Sequence, residues 1–255
     1  MTTSFANSNE KIIKSKSRVQ KHGEVFTPKK IIEMMLNQPG IKEACEDLTT
    51  SFLEPAAGEG AFLVAILRRK LDMVAKTYNK NIAKIENYSL LALSTLYGIE
   101  LLEDNTYACV MNMYQEYFAF YNEQAKKFAT RPKEKVLKSA KKIISSNIEQ
   151  GDFLTRLKAD GSPIIFSEWR PINLMKNTTN IRVGRTQYTL DEIYEEVNKS
   201  LGEIYEQEEE DKQISFFDAI DDEFINDENQ TTRSVRYMIT NITDVYLEEV
   251  EEFNG

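Results

Sequence analysis

The 255-residue sequence predicts an α/β protein with a doubly wound, mostly parallel sheet, flanked by an N-terminal basic arm and an acidic C-terminal tail. Three observations carry this expectation. A short apolar segment runs into a glycine turn and then a helical pattern in FLEPAAGEGAFL, residues 52–63. Three further strand-like segments alternate with helical stretches, as a parallel sheet covered on both faces requires. Two of those strand-like segments, like the first, end on a carboxylate.

Residues 1–20 are polar, with Lys11, Lys14, Lys16 and Arg18 scattered through them, and read as a flexible basic arm. Pro28 opens the helical pattern KKIIEMML, because a proline in the first turn loses no helical hydrogen bond. NQPG at 37–40 breaks that helix, and a short helix is expected around 41–48. Ser51–Leu53 reads as a buried strand. Phe62, Leu63, Ile66, Leu67 and Leu71 then fall at helical spacing over residues 59–76. Thr95–Ile99 is the second strand, ended by Glu100, and a helix follows over 104–128. ISSNIEQGDF at 144–153 is the third strand, ending at Asp152, and SPIIFSEW at 162–169 is the fourth.

The character then changes. NIRVGRTQY suggests a β-hairpin arm. Thr189 and Glu192 have capping-box spacing before a helix over LDEIYEEVNKSLGEIY. RSVRYMITNITDVYLEEVEEF is compatible with strand or helix. The expected domains are the arm at 1–20, a ligand-binding domain at 21–180, a hairpin and helix appendage at 181–206, and the acidic tail at 207–255.

Composition narrows the function classes. No apolar run nears the length that spans a bilayer, and the N-terminus lacks a signal core, which points to a cytoplasmic protein. Cys45 and Cys109 stand far apart and His22 is the lone histidine, which argues against a disulfide framework, a zinc site or a histidine-dependent triad. The net charge of −9 conceals an asymmetry. Asp191–Glu252 holds 21 acids against Lys199, Lys212, Arg233 and Arg236, a net of −17, so the remainder carries about +8. A basic body suits a polyanion such as nucleic acid.

The turn EPAAGEG lacks the spacing of a dinucleotide fingerprint and the Lys-Ser/Thr of a phosphate loop. Its acids, Glu54 and Glu59, disfavour pyrophosphate and favour an ammonium or hydroxyls. Glu100 ends the second strand, where an acid pairs with ribose hydroxyls. Asp152 and Phe153 end the third, where a carboxylate and an aromatic ring suit an adenine. Amine, ribose and adenine together describe S-adenosylmethionine.

GEVFTP at 23–28, LEPAAGEGAFL at 53–63, LYGIEL at 96–101 and QGDFL at 150–154 resemble successive motifs of the adenine-N6 DNA methyltransferases of restriction-modification type. The resemblance implies a Rossmann-like class I methyltransferase fold and a bacterial origin. It also implies cofactor contacts: Phe26, Thr27 and Pro28 on the methionine part, and Glu54, Pro55, Ala56, Gly58 and Gly60 on the amino-acid end. Glu100 would take the ribose, and Asp152 and Phe153 the adenine.

The family's Asn-Pro-Pro-Tyr segment, which grips the flipped target adenine, has no counterpart here. Ser167, Glu168 and Trp169 stand at the fourth strand end instead and are the catalytic candidates. The expected function is S-adenosylmethionine binding with methyl transfer to DNA adenine. The alternatives are an inactive accessory subunit of a restriction-modification or mobile-element system, and a small-molecule or protein methyltransferase. Arg182 and Arg185 are further candidate DNA contacts. Gln213, Ile214, Ser215, Phe216 and Phe217 resemble the peptide that docks replication and repair proteins on the DNA sliding clamp.

Overall fold

The computed structural model describes residues 13–22, 24–174, 178–205 and 234–253. The clamp-like residues 213–217, most of the acidic tail and residues 1–12 of the basic arm lie outside these. The elements run α1 (Lys16–His22), α2 (Lys29–Leu36), α3 (Ile41–Cys45), β1 (Phe52–Glu54), α4 (Ala61–Thr77), α5 (Ile82–Leu93) and β2 (Leu96–Glu100). They continue with α6 (Glu103–Lys127), α7 (Glu134–Asn147), β3 (Ile148–Gln150), β4 (Ile165–Pro171), β5 (Arg182–Thr189) and α8 (Leu190–Tyr194). The last strands are β6 (Ser234–Tyr237), β7 (Thr240–Asn241) and β8 (Val250–Phe253).

The molecule is a mixed α/β protein with a three-stranded parallel sheet in the order β1-β2-β3. Side chains alternate across strands, so β2 has two distinct faces. Gly98 backs onto Leu63 of α4 and Ile148 of β3, where a Cβ would lie 2.9 and 3.1 Å from their methyl groups. Tyr97 and Ile99 take the opposite face and pack against Phe166, Ile164 and Leu190. The main core fills the space between the sheet and α4, α5, α6 and α7, with Leu63, Leu67, Ile85, Tyr117, Val136 and Ile143 fully buried.

The expectation of a four-stranded parallel sheet is corrected. β4 pairs antiparallel with β5, from Ile165↔Thr189 to Pro171↔Val183, in a separate sheet of order β4-β5-β7. The supposed arm NIRVGRTQY is the second strand of this hairpin, and the hairpin covers the sheet face that a crossover helix would cover in a doubly wound fold. The third strand begins at Ile148, because residues 144–147 complete α7. The helix expected over 190–205 stops at Tyr194. Its Thr189–Glu192 capping box is present, but Glu196 turns left-handed at φ 54° and Val197 N–H closes on Glu192 O at 2.9 Å. The C-terminal segment forms β6, β7 and β8, with β6 and β8 paired antiparallel. No described helix is long and apolar enough to cross a membrane.

The segment leading into β1 is tied down by Lys70 of α4. Its buried ammonium donates to Asp47 O at 2.6 Å and Thr50 O at 2.8 Å and lies over the Phe52 ring. Burial pushes its pKa down to about 8.

Candidate functional site

The glycine turn has two structural demands. Gly58 and Gly60 both have positive φ, 55° and 84°, which an L side chain rarely adopts. Gly60 N–H bonds to Ala57 O at 2.8 Å, Gly60 caps α4, and a Cβ there would lie 2.7 Å from Cys109 Sγ. Gly60→Ala is therefore expected to cost about 2–4 kcal/mol through backbone strain and overpacking, read by urea denaturation. Cys109 is inert in this place, since burial, then the Glu100 and Glu54 charges, push its thiol up to about 12.

Glu100 ties the turn to the neighbouring strand. Its Oε2 accepts Gly58 N–H at 2.7 Å, and its Oε1 accepts Leu102 N–H at 3.0 Å and Asn105 Nδ2 at 3.3 Å. The carboxylate thus fixes the ends of β1 and β2 relative to each other, while among the described residues one lone pair of Oε2 stays open. At the end of β3, Asp152 Oδ1 accepts Leu154 N–H at 2.8 Å.

Two adjoining cavities of about 400 and 490 Å³ open above these strand ends, and both are bordered by Val25, Phe26, Ala56 and Gly58. The smaller also meets Pro55, Glu100, Asp152 and Phe153; the larger meets Thr27, Pro28 and Glu54. Of the residues expected to hold a cofactor, Gly60 alone does not border them; it supports the turn from beneath. Sequence reasoning missed Glu24, Asn105 and Leu154. Glu24 lies within the quoted GEVFTP segment, whereas Asn105 in the first turn of α6 carried no signal of its own.

Charge in the crevice is unevenly satisfied. Arg18 binds Glu24 and Asp104, holding Glu24 below the usual carboxylate range and Asp104 down to about 2. Lys14 reaches Glu59 at 2.9 Å and Asp104 at 3.1 Å and stands 5.9 Å from the Phe26 ring centroid. The described end of the basic arm is thus strapped across the crevice mouth. Glu54 differs from these acids. Among the described residues it forms no ion pair, and its one hydrogen bond is a long one from Ala56 N–H at 3.4 Å. Burial raises its pKa, slightly offset by that bond.

Comparison with known protein families matches residues 4–147, more than half of the chain, to N-6 DNA Methylase. The chain belongs to the N-6 DNA methylase family. No curated protein and no solved structure matched it.

The N-6 DNA methylase match ends at the close of α7, so Asp152, Phe153 and the whole β4–β5 hairpin lie beyond it. The catalytic candidates fall in that remainder. Ser167 is buried, and its Oγ accepts Arg185 Nε at 2.9 Å. Trp169 is buried, and its Nε1 donates to Asn147 Oδ1 at 2.9 Å. Glu168 pairs with Arg170 and faces a different groove, beside β1. None of the three borders the crevice, because the hairpin lies on the sheet face and not at the strand ends. Arg185, considered for DNA contact, is buried against Glu248, Ser146 and Trp169; Arg182 is exposed. Among the described residues no cluster of His, Cys, Asp and Glu suits a metal ion.

Proposed function

We propose that this N-6 DNA methylase family member binds S-adenosylmethionine in the crevice above β1, β2 and β3, and that DNA adenine is the methyl acceptor its family implies. The observation that carries the reading is Glu54: a partly buried carboxylate with no cation partner among the described residues, at a strand end beside an aromatic ring. Leaving a charge so is unfavourable unless a ligand completes it. The ammonium of an amino acid fits that need. Phe26 supports the methionine chain, the remaining Glu100 lone pair suits a ribose hydroxyl, and Asp152 with Phe153 suits an adenine.

S-adenosylmethionine supplies the methyl group when bound; the chain's residues orient it and shield it from water. A second reading, in which the chain binds cofactor as an accessory subunit without transferring the methyl, is favoured by the burial of Ser167 and Trp169. Calorimetry with S-adenosylmethionine tests binding, and no heat of binding at millimolar cofactor removes the proposal. Tritiated methyl transfer to mixed genomic DNA separates the readings: incorporation supports the enzyme, and tight binding without incorporation supports the accessory subunit. Glu100→Ala is expected to weaken cofactor binding by about tenfold or more, since it removes a ribose acceptor and also releases Gly58.

A further inference from the structure

β1 is an edge strand whose outer side pairs with none of the described strands. Phe52 N–H bonds to Thr95 O at 2.9 Å, so Phe52 and Glu54 direct their backbone groups to β2. Leu53, between them, points its N–H and C=O away from the sheet, where no described strand lies. Its side chain is 42% exposed. The hairpin covers the sheet face at β2 but stops short of β1, leaving a groove of about 520 Å³. Phe52, Leu53 and Tyr97 border it on the sheet side and Phe166, Leu190 and Val197 on the hairpin side. An open edge beside an apolar groove is a liability that a docked strand removes.

Charge selects the occupant. Three carboxylates, Glu168, Glu192 and Glu196, and one guanidinium, Arg170, border the groove. Lys199 holds Glu192 and Arg170 holds Glu168, whereas Glu196 has no ion pair among the described residues. A nucleic-acid phosphate is repelled here, and a cationic chain is attracted.

We infer that β1's free edge and this groove receive an extended segment of a second polypeptide, with apolar side chains alternating with Lys or Arg. Its backbone pairs with Leu53, its apolar side chains fill the groove, and its cations meet the carboxylates. The site is distinct from the cofactor crevice and needs no cofactor.

The probe is a fluorescein-labelled peptide of about eight alternating Val and Lys residues, titrated into the full chain. We expect the same peptide with alternate backbone nitrogens methylated to bind about tenfold more weakly or worse, because it keeps the charge and loses the strand pairing. A Val–Glu peptide should fail to bind, and Leu53→Pro should weaken the parent peptide as methylation does. Hydrogen exchange should show Leu53 N–H exposed in the free chain and protected by the peptide. Equal binding of the methylated and parent peptides overturns the inference, as does binding of the Val–Glu peptide. Protection of Leu53 in the free chain also overturns it, since residues 206–233 or a second copy would then already fill the edge.

Discussion

Glu54→Gln is expected to reduce S-adenosylmethionine affinity by at least about tenfold, and by several hundredfold if the ammonium contact is fully desolvated. The same change should leave the melting temperature unchanged or raise it. Both effects have one cause. The carboxylate is partly buried and has no cation partner among the described residues, so burial holds its pKa above the ordinary 4.5, and the charge is unfavourable until a cation arrives. Glutamine keeps the shape and the acceptor oxygen but offers the ammonium no charge. The pH dependence has a fixed sign. Because the folded-state pKa is raised, the folded chain holds this proton more tightly than the unfolded chain. Its stabilising contribution is complete below the unfolded value and is lost as pH rises through the folded one. Cofactor affinity runs the other way, increasing as the carboxylate ionises. Calorimetry across pH 4.5–7.5, paired with melting curves, reads both slopes, and Glu54→Gln should flatten each. A variant that loses stability and keeps affinity would make Glu54 a structural residue.

The readable parts of the sequence were those where one short segment fixes its own geometry. EPAAGEG allowed a tight turn because Gly58 and Gly60 both need positive φ. α4 and α6 were visible as long segments with recurring apolar positions. α5 was not, because nine of its residues are buried, polar Glu86, Asn87 and Ser89 among them. A helix buried all round shows no apolar stripe. β4 was recognised as a strand, but IIF followed by SEW says nothing of which strand it pairs with. Its partner β5 was set by register and by packing at a distance. Gly184 belongs to that packing: a Cβ there would lie 2.4 Å from Leu201 Cδ1. Leu201 therefore packs on β5 instead of continuing the helical spacing of Ile193 and Val197. The contacts of Lys14 and Arg18 with Asp104 join residues 90 and 86 positions apart, and no local pattern announces them.

Trp169→Ala is expected to destabilise the chain by about 3–5 kcal/mol, lowering the melting temperature by roughly 10 °C, with cofactor affinity of the folded protein unchanged. The indole is 5% exposed, and its Nε1 donates to Asn147 Oδ1. Asn147 Nδ2 in turn donates to Ser94 O and Leu96 O, each at 3.2 Å. That relay joins the hairpin to the end of α7 and the start of β2. On its other side the ring meets the Arg185 guanidinium at 5.1 Å, which Ser167, Ser146 and Glu248 hold in place. Truncation thus opens a cavity, orphans a buried amide oxygen and strips one aromatic face from a buried cation together. Trp169→Phe should recover most of the packing and none of the hydrogen bond, falling between wild type and alanine. A base-stacking residue would behave otherwise: Trp169→Ala would then hold its melting temperature, and methyl transfer or DNA binding would fall instead.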